Sequence, residues 1–185
     1  MEKKCWNCKA EVSPKDFFCK FCKKIQENVE VNEFEIFSME KKVQINLDLL
    51  EKKYLELQMT FHPNKFIGLS KKEIEISNMY SSKINEAYNS LKNYVDRINL
   101  IIKNSGVSVI NYHESYKNSD LLEDIMEIQE EFLFAEVNQK KKIKKKIKNL
   151  IDEILIDTEE LYKKRDYNQM LKNSIKLSYL SKILN

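Results

Sequence analysis

The chain has 185 residues, 42% of them hydrophobic, a net charge of +3, and only two Gly (Gly68, Gly106) and two Pro (Pro14, Pro63). That is enough apolar material for one medium or two small domains, but too few turn formers for an all-β sandwich or barrel, or for a glycine-rich phosphate loop. Of the 32 basic residues only Arg97 and Arg165 are arginines, which disfavours base-edge reading of DNA, and no apolar run approaches the ~18 residues of a membrane span.

Met1-Glu2-Lys3-Lys4-Cys5 reads neither as a signal peptide nor as an Arg/Ser-rich transit peptide. All four cysteines fall in the first 22 residues, as Cys5-Trp6-Asn7-Cys8 and Cys19-Lys20-Phe21-Cys22 with ten residues between the pairs. Each CxxC turn aims two thiolates at one point, and two such turns complete a tetrahedral shell around one zinc. Two disulfides would need an oxidising compartment, and a redox CxxC would explain only one pair. Cys5, Cys8, Cys19 and Cys22 are therefore expected to form a closed structural zinc site. The link Gln26-Glu27-Asn28-Val29-Glu30 then ends a module of residues 1–30.

A second domain is expected over residues 31–106. Leu47, Leu50, Tyr54, Leu57 and Phe61 recur at spacings of three and four, one apolar stripe of a helix that stops at His62-Pro63. Ser70-Lys71-Lys72-Glu73 reads as a capping box opening the next helix. Its stripe is Ile76, Tyr80, Ile84, Ala87, Leu91 and Ile98, so the pair is an antiparallel helical hairpin with a Pro-containing loop.

Gly106 and the polar stretch Asn111–Asn118 mark the boundary of a third domain, residues 107–185, read as an antiparallel three-helix bundle. Its first helix, about 120–137, holds seven acidic residues and no basic one. The second, about 139–165, opens with Lys140, Lys141, Lys142, Lys144, Lys145, Lys146 and Lys148, and its stripe is Ile143, Ile147, Leu150, Ile154 and Leu161. The third, about 166–184, packs through Tyr167, Leu171 and Ile175. The fold class is all-α behind a small four-cysteine module. The lysine block reads as a solvated helix face or as a contact for RNA, an anionic membrane or an acidic partner. It contains no aromatic residue, which disfavours nucleic acid and the rival reading of a zinc-ribbon adaptor.

Phe61-His62-Pro63-Asn64-Lys65-Phe66, flanked by Glu33-Phe34-Glu35-Ile36-Phe37 upstream and Ile84-Asn85-Glu86-Ala87-Tyr88-Asn89-Ser90-Leu91 downstream, resembles a J-domain. In that family an HPD loop joins the two main helices and stimulates a DnaK-type ATP-driven chaperone. Leu121-Leu122-Glu123-Asp124-Ile125-Met126-Glu127-Ile128-Gln129-Glu130-Glu131 looks like the segment after the J-domain in HscB, the co-chaperone of iron–sulfur cluster assembly. The four-cysteine module resembles the zinc-binding extension of eukaryotic HscB relatives.

The resemblance implies a non-enzymatic co-chaperone that binds an IscU-type scaffold and delivers it to a DnaK/HscA-type ATPase. The compartment it implies is a mitochondrion or mitochondrion-derived organelle, with cytoplasm as the alternative. It assigns chaperone binding to Lys52, Lys53, His62, Pro63, Asn64 and Lys65, and scaffold binding to Leu122, Met126, Glu127, Glu130 and Tyr179. Two positions depart from the pattern on the chaperone side. Asn64 stands where the family has aspartate, and Met59 ends a helix face that is usually basic. Replacing a charge-assisted bond by a neutral one costs roughly 1–2 kcal/mol, about tenfold or more in coupling. On the scaffold side Glu123 occupies a position that is apolar in the family.

Overall fold

The computed structural model describes residues 3–13, 16–27, 31–106 and 123–184. Among these the chain is almost wholly helical and divides into two compact units, residues 1–40 with 46–92 and residues 41–45 with 93–185.

In the first unit the amino-terminal module is a two-stranded antiparallel ribbon, β1 (Lys3–Lys4) and β2 (Glu11–Val12), in the register Lys3 to Val12 and Lys4 to Glu11. An isolated bridge joins Phe18 to Ile25. Cys5, Val12 and Cys19 form its small core, with Cys22 against them. A short helix, α1 (Glu33–Ile36), is opened by a reciprocal cap. The Asn32 side chain accepts from the Phe34 and Glu35 N–H groups, and the Glu35 carboxylate accepts from the Asn32 N–H.

The hairpin consists of α2 (Leu47–Phe61) and α3 (Lys71–Lys92). Asn46 caps α2 through the Leu49 N–H. Ser70 and Glu73 cap α3 as the sequence predicts, the Ser70 N–H and Oγ–H donating to the Glu73 carboxylate at 3.2 and 2.8 Å. Leu50 and Phe61 of α2 are buried with Ile76, Tyr80, Ile84, Ala87 and Leu91 of α3, while Phe34 and Phe37 complete this core. Leu47, expected in the stripe, is instead half exposed, while Tyr54 and Leu57 of the same stripe are half-buried.

The expected continuation of the α3 stripe to Ile98 is corrected. Asn93 interrupts the helix by accepting from the N–H groups of Val95 and Asp96, and a separate helix, α4 (Tyr94–Lys103), follows. An asparagine side chain competes well with the main chain for such donors, which favours a cap over continuation. Leu91 and Ile98 are seven residues apart, so periodicity alone cannot reveal the break.

In the second unit α7 (Tyr167–Leu184) packs against α4, α5 (Glu123–Phe134) and α6 (Val137–Lys164), and α5 also meets α6. The acidic helix stops at Phe134 rather than near Val137, because the Gln139 side chain accepts from the Glu136 N–H and starts α6 there. Arg165 ends α6 in the left-handed conformation, φ 59°. Ile143, Ile147 and Ile151 line the buried side of α6, and Met170, Leu171, Ile175, Leu177 and Leu180 that of α7. A polar pair lies inside this core. The Asn173 amide donates to Thr158 Oγ1 at 3.0 Å and to Asp157 Oδ2 at 2.8 Å. Residues 41–45 belong here too, because the buried Arg97 donates through Nε to the Val43 carbonyl at 2.7 Å and Glu159 accepts from the Gln44 N–H at 2.9 Å. Burial lowers the Arg97 pKa to about 10 against the supporting charge of Glu159, so the side chain stays cationic at neutral pH. Among the described residues no helix is long and apolar enough to cross a membrane.

Candidate functional site

The two CxxC turns fold alike. The Cys5 N–H donates to Ala10 O at 2.8 Å and the Lys9 N–H to Cys5 O at 3.1 Å; the Cys19 N–H donates to Lys24 O and the Lys23 N–H to Cys19 O, both at 2.9 Å. In each turn the residue after the second cysteine, Lys9 or Lys23, takes a left-handed conformation with φ near 60° (62° and 59°). These paired knuckles bring all four sulfurs within 4.8 Å of one another. Cys5 Sγ lies 3.6 Å from Cys22 Sγ, and Cys8 Sγ 3.7 Å from Cys19 Sγ. Four thiolates about 2.3 Å from a tetrahedral zinc would sit about 3.8 Å apart, whereas a disulfide needs about 2.05 Å. The four cysteines can hold a metal ion.

Electrostatics favours the same conclusion. Burial opposes ionisation of Cys5, but the N–H groups of Cys8 and Asn7 together with neighbouring thiols outweigh it and lower its pKa to about 6. Cys22 is lowered as well, chiefly by the Lys24 N–H. The Ala10 N–H favours the Cys8 thiolate, yet loss of hydration and the other three sulfurs push its pKa up to about 11. Four sulfurs this close cannot all carry charge unaided, and a dication removes the conflict.

The loop between α2 and α3 is an exposed turn held by two buried aromatics. Phe61 ends α2, and Phe66 ends a single 3₁₀ turn, Pro63–Phe66. Within it the Lys65 N–H donates to the His62 carbonyl at 2.9 Å, and the Asn64 N–H points to His62 Nδ1 at 3.3 Å. His62, Asn64 and Lys65 are exposed, and Pro63 is half-buried. Gly68 supplies the positive φ (85°) that returns the chain to α3.

Of the two α2 lysines, Lys52 is exposed, but Lys53 Nζ donates to the carbonyls of Phe37 and Ser38 at 2.7 and 2.9 Å and so fastens the end of α1. The outer face of α2 that carries Lys52 also presents Leu55, Glu56 and Met59, a mixed rather than a basic surface.

On α5, Ile125 and Ile128 face inward, whereas Met126, Glu127 and Glu130 are exposed. Met126 and Glu130 are four residues apart and share a face. Leu122 lies outside the described residues. Tyr179 is half-buried on α7, with Lys182 Nζ 5.0 Å from its ring centre. Leu133 and Phe134, not singled out from the sequence, are exposed near the end of α5. Part of the lysine block is engaged within its own unit. Lys140 and Lys144 lie over the Phe132 ring, Lys144 also donates to the Leu184 carbonyl, and Lys146 pairs with Glu131.

Residues 117–185 match the family model of the HSCB C-terminal oligomerisation domain. The chain is 31% identical over 181 residues to the iron–sulfur cluster co-chaperone protein HscB homolog of Arabidopsis thaliana, covering 95% of this chain and 69% of the plant protein. It belongs to the HscB co-chaperone family. The co-chaperone protein HscB homolog of Neisseria meningitidis is 34% identical over 129 residues, 70% of this chain and 76% of the bacterial one. The crystal structure of human co-chaperone protein HscB superposes with a TM-score of 0.84 at 25% identity, covering 98% of this chain and 94% of the human one. The family assignment and the all-α fold expected from the motifs are thereby established.

The sequence reading missed Phe17, Phe18 and Lys24, which fasten the cysteine module to the hairpin. An aromatic pair five residues after Val12 and just before Cys19 is the signal that could have pointed to them.

Proposed function

We propose that this HscB-family chain is an adaptor, not an enzyme in its own right. It binds an IscU-type iron–sulfur scaffold through its carboxy-terminal unit and presents it to a DnaK/HscA-type ATPase through the His62-Pro63-Asn64 loop. The observation that carries this reading is the exposed His-Pro turn, anchored by Phe61 and Phe66 at the tip of a helical hairpin in a chain of this family. His62 accepts the Asn64 N–H at Nδ1, which leaves the other edge of the ring open to solvent, where a partner can meet it. Lys52 and Lys65 add positive charge on the same hairpin. Asn64 retains the turn but lacks the carboxylate of the family pattern, so stimulation is expected to be blunted rather than abolished.

Scaffold binding is assigned to Met126, Glu127 and Glu130, with Leu122 and Tyr179 as further contacts. Exposed methionine beside glutamates suits a partner with an apolar patch rimmed by basic groups. The four cysteines are proposed to hold one zinc with no open coordination position, a structural role that supplies folding energy to a segment with a three-residue core. A mitochondrion or mitochondrion-derived organelle is the proposed compartment, supported by the likeness to plant and human relatives that extends over the cysteine module.

The test uses the full chain with its host's scaffold and ATPase. Capture of the scaffold, together with a rise in steady-state ATP turnover that is greatest when all three proteins are present, is the expected result. Failure to bind the scaffold under conditions where the bundle is folded would refute the adaptor reading.

A further inference from the structure

The cysteine module reaches both ends of the His62-Pro63-Asn64 loop. On the near side, the Phe18 ring stacks on Phe61, the residue immediately before His62, with centroids 5.5 Å apart and planes at 8°, and Phe17 meets the same ring edge-on at 5.2 Å. On the far side, Lys24 Nζ lies 2.9 Å from the Glu73 carboxylate, which is nearly inaccessible to solvent and is the capping residue that opens α3. A second fastening lies about two helical turns further along α3. The Tyr80 hydroxyl donates to the Gln26 carbonyl at 2.8 Å, and its ring packs against both Phe61 and Phe17.

These contacts run back to the metal ligands. Gln26 donates through Nε2 to Cys5 Sγ at 3.3 Å, its own N–H donates to the Phe17 carbonyl at 2.8 Å, and Phe18 and Lys24 flank Cys19 and Cys22 in sequence. The segment that carries Phe17, Phe18 and Lys24 is therefore tied to both knuckles, through Cys5 in the first and through Cys19 and Cys22 in the second. With so small a core of its own, the module depends on its metal for that shape.

We propose that the metal-loaded module is the positioning element of the chaperone loop, with Phe17, Phe18 and Lys24 as positioning residues. It clamps Phe61 and the α3 cap at the same time, so the turn between them keeps one geometry, and metal loss releases it. The proposal rests on the reading of residues 62–64 as the chaperone-contacting loop, but its primary measurement does not require a chaperone.

Amide hydrogen exchange is followed in the full chain, zinc-loaded and after chelation under reducing conditions, and in zinc-loaded Phe17→Ala/Phe18→Ala, Lys24→Ala and Lys24→Arg variants. The Lys65 and Leu69 amides, which close the loop onto His62 O and Phe66 O, should exchange at least tenfold faster in the chelated chain and in the double alanine variant. Amides of α6 around Ile147 and Ile151 should keep their protection, which shows that the second unit is intact. Lys24→Ala should speed exchange at the loop severalfold, and Lys24→Arg, which keeps the charge next to Glu73, should restore it. ATPase stimulation should require severalfold more co-chaperone for half-saturation in the same samples, while scaffold affinity stays unchanged. Unchanged loop exchange after metal removal would overturn the proposal, as would faster exchange with an unaltered half-saturation. If the parent chain does not stimulate the ATPase, the chaperone reading falls, and the exchange data alone then decide whether the module holds the loop.

Discussion

Met126 and Ile125 are neighbours in α5 with opposite fates, and the difference predicts two distinct phenotypes. Met126 is 59% exposed and Ile125 only 3%. A fully buried side chain of this size contributes about 1.5–3 kcal/mol through transfer from water. With about two-fifths of its surface covered, Met126 should contribute about 1 kcal/mol to stability. Ile125→Ala, by contrast, removes buried methyl groups and opens a cavity, costing about 2–5 kcal/mol. Binding should reverse the order. If Met126 seats in an apolar pocket of the scaffold, Met126→Ala should weaken the complex by about 1–2 kcal/mol, roughly 5–30-fold in Kd. Urea denaturation followed by circular dichroism gives the first quantity, and titration calorimetry with the host's scaffold gives the second. A Met126→Ala protein that loses as much stability as Ile125→Ala, or binds the scaffold as tightly as the parent, would refute the assignment of this face.

The remaining predictions are briefer. Asn64→Asp should raise stimulated ATP turnover about tenfold at subsaturating co-chaperone without changing scaffold affinity, since the residue is exposed and its main-chain contact to His62 does not involve the substituted group; equal stimulation by both forms would show that His62 and Pro63 suffice. Metal analysis should find one zinc per chain, lost on chelation together with protection of the module; an intact metal-free chain with two disulfides would refute the thiolate site. Glu73 gives a pH dependence. Burial acts to raise its pKa, but Lys24 and Ser70 outweigh it and hold the value below the ordinary 4.5. Its contribution to stability should therefore be fully present above pH 4.5 and be lost as the pH falls through the depressed folded value. Glu73→Gln should flatten that part of the acid denaturation curve of the first unit, and an unchanged curve would show that the Lys24 contact carries no stability.

How much of this was legible in the chain depends on the range of each interaction. The two CxxC spacings, the His62-Pro63 stop, the Ser70–Glu73 cap and the three- and four-residue stripes are local. A CxxC turn, a proline and a helix cap act over a few residues, so their outcome is written where they stand. Family resemblance could be read from the same motifs because their order and separation are properties of the chain alone. Tertiary structure decided the matters in which two stretches distant in sequence compete for one group. Lys53 looked like part of a basic face until the Phe37 and Ser38 carbonyls claimed it, and Glu73 looked like an ordinary capping carboxylate until Lys24 covered it. Ile98 fits the periodicity of α3, yet the Asn93 cap turns it into the core of the second unit. Phe17 and Phe18 carry no periodic signal at all. Their meaning comes only from Phe61, more than forty residues away, whose ring can be shielded from water on that side only when the cysteine module folds against it.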